Sequence, residues 1–117
     1  MTDEFEVSTP ELTPEDLLVL DDPRFTGESV ALVTGAASGI GQATAVALAA
    51  NGLTVVGADI DDEGLDRTVE FTEAFGTPGC VHPVQTDLTD DTDVDAVVDA
   101  AAEEGDLRCV ANIAGMQ

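Results

Sequence analysis

The sequence predicts an α/β protein, a doubly wound parallel sheet of strand order 3-2-1-4 that is only partly built. Three observations predict it. Short β-branched runs alternate with longer helix-forming stretches in the order β-α-β-α-β-α-β, and strands alternating this way pair in parallel through right-handed crossovers. The run Val30-Ala31-Leu32-Val33 reads as a strand covered on both faces. Directly after it, Gly35, Gly39 and Gly41 free a turn of side-chain bulk at a helix start, where unpaired N–H groups and the helix dipole favour a phosphate.

The elements follow in order. Residues 1 to about 24 carry eight acids and one arginine, broken by Pro10, Pro14 and Pro23, and read as an acidic N-terminal extension. Within it Thr13, Pro14 and Asp16 spell a helix start ahead of the apolar turn Leu17 to Leu20. That turn is expected to dock on its own domain or a neighbouring subunit, or else to form a free arm. The domain then runs over residues 25–117. After the first strand, the run from Ala43 to Ala50 is rich in small apolar helix formers that can sit close to a sheet, and Asn51-Gly52 stops it. Leu53 to Ala58 supplies the second strand. A helix follows with Leu65, Val69 and Thr72 on one face and acids on the other, closed by Gly76, Pro78 and Gly79. Cys80 to Gln85 reads as the third strand, with Pro83 at a bulge or edge because proline donates no ladder hydrogen bond. Val94, Val97, Val98 and Ala101 recur at helical spacing, and Leu107 to Ala111 forms the fourth strand.

Charge excludes some partners. With 25 acids, three arginines, no lysine and a net charge of −22, the chain would repel nucleic acid and anionic membranes. A hydrophobic content of 44% argues against a disordered polyanion, so the acids are expected to form a solvated surface. Such a balance suits high salt, where self-repulsion is screened, and the alternative is a charged interaction surface. No apolar stretch approaches a membrane span and the N-terminus lacks a basic signal segment, which gives a cytoplasmic expectation. Cys80 and Cys109 are expected to be buried, inert thiols, about 14 Å apart across two intervening strands and too far for a disulfide.

In the expected topology Gly35, Asp59, Asp87 and Asn112 all emerge at the C-terminal rim, where ligands collect at the switch point. The glycine turn is not a P-loop, because Gln42 follows Gly41 and lysine is absent. Asp59 stands 24 residues after Gly35, near the separation at which an acid accepts hydrogen bonds from an adenosine ribose. A 2′-phosphate would meet that carboxylate as a like charge with no cation beside it, so NAD is expected over NADP. Asp87 either accepts from the adenine amino group or caps the next helix. Asn112 either orders its turn or touches the cofactor. His82 has no second His or positioned nucleophile near it in the sequence to give it a metal or catalytic role.

At these residues the sequence resembles the short-chain dehydrogenase/reductase family. Leu32-Val33-Thr34-Gly35-Ala36-Ala37-Ser38-Gly39-Ile40-Gly41 matches its Thr-Gly-x-x-x-Gly-Ile-Gly motif and Asp87-Leu88 its Asp-hydrophobic adenine motif. Asn112-Ile113-Ala114-Gly115 looks like its Asn-Asn-Ala-Gly motif, with Ile113 in place of the second Asn. The resemblance runs from about Phe25 to Gln117 and implies a Rossmann fold, NAD(P) and hydride transfer at an alcohol carbon. It implies a cofactor set of Gly35, Ser38, Gly39, Ile40 and Gly41 at the turn, Asp59 and Ile60 at the second strand, and Asp87, Leu88, Asn112, Ala114 and Gly115 beyond. No metal ligand is among them.

The family's acid/base chemistry uses a Ser and a Tyr-x-x-x-Lys pair, and this chain has no Tyr and no Lys. The expectation is therefore an NAD-binding N-terminal half without catalytic residues, inactive alone. It would serve a homo-oligomer or a complementing chain, or else stand as a non-catalytic NAD-binding or interaction module. A nucleotide-sugar epimerase fits less well, because its glycine turn is usually spaced Gly-x-x-Gly-x-x-Gly. A sheet ending at the fourth strand leaves an unpaired edge and a face short of helices, and marginal stability is expected.

Overall fold

The expected alternation is present within residues 12–115, the part of the chain that the computed structural model describes. Strand β1 (Ser29–Thr34) leads to helix α1 (Gly39–Ala50), β2 (Thr54–Asp59), α2 (Asp62–Phe75), β3 (Cys80–Gln85), α3 (Asp91–Glu104) and β4 (Asp106–Asn112). All pairings are parallel, in the order β3-β2-β1-β4.

Alternation along the central strands sorts the core onto two faces. Ala31, Val33 and Val55 face α1 and α2, packing with Ala45, Ala49 and Leu65. Val30, Leu32, Val56 and Ala58 face the other way, onto Val97 and Ala101 of α3. Every residue of β1 is buried, as a strand covered on both faces requires. Small side chains on α1 allow its close approach, the arrangement expected of its alanine-rich sequence.

The outer strands differ from expectation. Cys80 and Cys109 are exposed, not buried. Burial in a sheet depends on neighbours: among the described residues β3 pairs only with β2 and β4 only with β1, and although α2 packs on β3 and buries Val81, Cys80 alternates to the opposite face. Two strands do separate the cysteines. On β4 the uncovered position leaves Val110 50% exposed, and the β1–β4 register shifts between Val30 and Ala31, where Arg108 is the extra residue. Pro83 lies on the β3 edge, with the β2–β3 register unbroken around it.

The first eleven residues of the acidic extension lie outside the described residues. Beyond them Asp16 Oδ2 accepts from the Thr13 N–H and hydroxyl, each at 3.0 Å, at the head of a single 3₁₀ turn, Pro14–Asp16. Leu17 to Leu20 are not helical. Asn51, just past α1, captures their backbone instead: its amide donates to Leu18 O at 2.8 Å and its carbonyl accepts from Leu20 N at 2.6 Å. The arm thus docks on its own domain through main-chain bonds, leaving Leu18 and Val19 largely exposed.

Candidate functional site

The strand ends meet around an open cavity of about 640 Å³ on the C-terminal rim of the sheet. Its floor is the turn between β1 and α1. Gly35 lies at φ 74°, and a side chain there would press on Ala114 N of the turn after β4. Gly41 approaches more closely still, because a Cβ would collide with the Gly35 carbonyl. These glycines bring three backbone segments together at spacings that side chains forbid.

Of the three α-helices among the described residues, α1 alone has no side-chain cap at its start. Asp61 caps α2 by accepting from Gly64 N at 3.1 Å, and Asp90 caps α3 by accepting from Thr92 N at 2.8 Å. Ser38, the N-cap of α1, makes no side-chain cap bond. Ser38, Ile40 and Gly41 line the cavity, and the free N–H groups of the first turn suit an anion there.

Behind the turn, a polar network fixes its carbonyls. The buried Thr68 hydroxyl donates to Ala36 O at 2.7 Å, with Gly64 O a second acceptor at 3.1 Å, and it accepts from Gln42 Nε2 at 3.0 Å. Gln42 Nε2 also donates to Ala37 O at 3.2 Å. Replacing Thr68 with Val keeps the shape and removes the donor, leaving Ala36 O short of a partner. The expected cost is about 1–2 kcal/mol, read as a lowered urea midpoint with unchanged slope.

Asp59 and Ile60 form the second wall. The Asp59 carboxylate is held on both oxygens, Oδ2 accepting from Ala37 N at 3.1 Å and Oδ1 from Asp61 N at 3.0 Å. Beyond β3, Thr86, Asp87, Leu88 and Thr89 supply the third. Asp87 is not the helix cap, a role Asp90 takes, and its Oδ1 accepts from Thr89 N at 2.9 Å and from the Thr89 hydroxyl at 2.6 Å. Those bonds hold the Asp87 carboxyl below the usual carboxylate range, the hydroxyl bond being the larger cause.

Ile113, Ala114 and Gly115 close the cavity after β4. The Thr34 hydroxyl ties this turn, accepting from Ile113 N at 3.1 Å and Ala114 N at 3.3 Å. A threonine from β1 thereby orders this turn, one of the two roles expected of Asn112. Asn112 itself pairs in register with Thr34 at the end of β4 and does not line the cavity, and neither does Gly39. The other ten candidate residues do. Thr86, Thr89 and Ile113 also line the cavity, outside the expected cofactor set. Thr89 could have been found from the Asp-x-Thr spacing, which favours a local turn held by both side chains.

No arginine lines the cavity, since Arg24, Arg67 and Arg108 each pair with a nearby acid, Asp22, Asp61 and Asp106 respectively. His82 Nε2 lies 3.5 Å from both Cys80 Sγ and Glu104 Oε2, away from the rim. The cavity thus offers free N–H groups for an anion, oriented carboxylates for hydroxyl or amino donors, and the exposed side chains of Ile60 and Leu88 for a flat ring.

A family model described as short chain dehydrogenase matches residues 29–117, taking in the glycine turn, Asp59, Asp87 and the turn after β4. The chain belongs to the short-chain dehydrogenase family. It is 42% identical over 88 residues to the 3-oxoacyl-acyl-carrier-protein reductase FabG of Thermotoga maritima, covering 74% of this chain and 35% of that protein. A short-chain dehydrogenase/reductase from Burkholderia phymatum, solved in complex with NAD, superposes with a TM-score of 0.65 at 40% identity, over 74% of this chain and 30% of that one. The L-sorbose reductase of Gluconobacter frateurii, solved with NADPH and L-sorbose, superposes at 0.67 and 32% identity, over 78% and 34%. The chain therefore spans about a third of the length of these relatives. Its sheet is of the Rossmann type that the family uses to bind nicotinamide dinucleotides. Among the described residues no helix is long and apolar enough to cross a membrane.

Proposed function

We propose that residues 25–117 form the NAD-binding portion of a short-chain dehydrogenase, with residues 1–24 an acidic extension. The observation that carries this is the uncapped N-terminus of α1 opening, across one cavity, toward the doubly held carboxylate of Asp59. The glycine turn fits a pyrophosphate, because the close approach of Gly35 and Gly41 removes the bulk that would fill the cradle. In this reading the backbone from Ser38 to Gly41 binds pyrophosphate and ribose. Asp59 accepts from the adenosine ribose hydroxyls, and Asp87 accepts from the adenine amino group between Ile60 and Leu88. Ala114 and Gly115 border the cofactor, with Asn112 holding the strand end beneath them.

NAD when bound supplies or accepts a hydride at an alcohol or carbonyl carbon. This chain's residues bind and orient it but hold no acid/base pair, since the sequence contains neither Tyr nor Lys. Residues 25–117 are thus expected to bind the cofactor, while the acid/base pair comes from outside these residues, as in a homo-oligomer or a complementing chain. The second reading is a non-catalytic NAD-binding or interaction module. In either reading the net charge of −22 suits a salt-rich surrounding, where self-repulsion is screened.

Titration with NADH and NADPH at high salt tests the assignment. NADH is expected to bind about tenfold more tightly, because a 2′-phosphate would face Asp59 with no cation in the cavity to offset it. Tighter binding of NADPH would overturn the role given to Asp59.

A further inference from the structure

We infer that Asn51 is both a deamidation site and the latch of the N-terminal arm: the arm's main chain holds the Asn51 carboxamide away from Gly52, and loss of the amide nitrogen lets the arm go. The latch lies at the end of α1 remote from the cavity and stands apart from the cofactor reading.

Sequence and geometry meet at this pair. Asn51 precedes Gly52, whose backbone nitrogen no side chain screens, so that nitrogen can attack the Asn51 side chain. Glycine is required at 52, because the residue sits at φ 95° and an added Cβ would press on Phe25 O. Asn51 is required for its hydrogen bonds. Its Nδ2 donates to Leu18 O and to Ala47 O, each at 2.8 Å, and its Oδ1 accepts from Leu20 N at 2.6 Å. A carboxamide supplies both donors and the acceptor, and a carboxylate supplies no donor. On either side of Leu18, the residues Leu17 and Val19 line a hollow with Phe75 and Pro78, so the arm lies over the domain there.

In the reaction Gly52 N bonds to Asn51 Cγ, the Cγ–Nδ2 bond breaks, and ammonia leaves with the Gly52 proton. Water then opens the cyclic imide at either carbonyl, giving aspartate or its β-linked isomer. Ring closure requires ψ of Asn51 to turn away from 5°, where Gly52 N donates to Ala49 O at 3.0 Å instead. It also requires the carboxamide to leave all three of its partners. Two of those three belong to the arm. The product sets carboxylate lone pairs against Leu18 O and Ala47 O, and adds a negative charge at the C-terminal end of α1, where the dipole disfavours it and the last turn has no basic residue. Opening of the arm therefore speeds the reaction, and the reaction opens the arm.

The test follows the 117-residue chain at mildly alkaline pH and high salt, by mass spectrometry of tryptic fragments. Cleavage after Arg24, Arg67 and Arg108 puts Asn51 in the fragment 25–67 and the only other asparagine, Asn112, in 109–117. Deamidation is expected at Asn51, and about fivefold faster in Leu20→Pro, which removes the N–H that Asn51 accepts and so the worth of one hydrogen bond. Leu18→Ala changes an exposed side chain and no main-chain bond, and is expected to match the wild type. An unchanged rate in Leu20→Pro overturns the shielding, as does an equal gain in Leu18→Ala. Release is read separately, as chymotrypsin cleavage after Leu18 or Leu20 in Asn51→Asp. Cleavage there is expected to be about tenfold faster than in the wild type, with cleavage after Phe71 in α2 unchanged. Arm cleavage at the wild-type rate overturns the latch, as does a rise at Phe71 equal to that in the arm.

Discussion

Gly41→Ala is expected to unfold the chain or to lower its stability by about 3 kcal/mol or more. The added methyl has nowhere to go, because it would strike the Gly35 carbonyl and crowd Ala36 N, both main-chain atoms in the turn at the end of β1. Relief requires α1 to move away from the sheet, which opens the packing of Ala45 and Ala49 against Ala31 and Val33. Gly27→Ala is the matched control, since an added Cβ there meets nothing within 4 Å and the residue is not at positive φ. Urea unfolding followed by circular dichroism at high salt separates the two. A Gly41→Ala midpoint equal to that of Gly27→Ala would show that the close approach is unimportant. Dinucleotide affinity is expected to fall with stability in Gly41→Ala and to be unchanged in the control.

The second large effect is that of salt. With a net charge of −22, and all three arginines paired to acids already near them, little inside the molecule offsets the repulsion among the remaining carboxylates. Raising KCl from 0.1 to 1 M shortens the screening length from about 10 Å to about 3 Å. Repulsion across the surface then fades while the buried core is untouched. The expected gain is about 2 kcal/mol, or roughly 10 °C in Tm for a domain of this size. Dinucleotide affinity is expected to rise over the same range, because the ligand is anionic and the cavity wall carries Asp59 and Asp87 without a cation. A Tm that does not move between these salt concentrations would refute the electrostatic account.

The local signals in the sequence were strong where periodicity and turn chemistry agree. Val30 to Val33 could only be a strand buried on both faces, and the alanines of α1 announced a helix packed close to a sheet. Alternation of the two then fixed the strand order. What the sequence left open depended on partners far along the chain. Cys80 and Cys109 look like core residues within apolar strands, yet they are exposed because each strand has a neighbour on one side only. Leu17 to Leu20 read as a helical turn, but a carboxamide more than thirty residues away takes their backbone bonds. Among the candidate site residues, the motifs located the cavity wall almost completely. They did not reveal that Asp90 would cap α3 and release Asp87, or that Thr34 would order the turn beside Asn112.

The cavity takes one wall from the end of each strand, with Gly35 after β1, Asp59 closing β2, Thr86 after β3 and Ala114 after β4. A small molecule seated there bridges all four strands at once and can be bound only by a chain that has assembled the whole sheet. At one hundred times its dissociation constant such a molecule adds about 2.7 kcal/mol to the folded state. For a small domain that increment is a large fraction of the total stability. The abundance and protease resistance of this protein should therefore track the nucleotide pool around it, making its persistence a readout of its ligand.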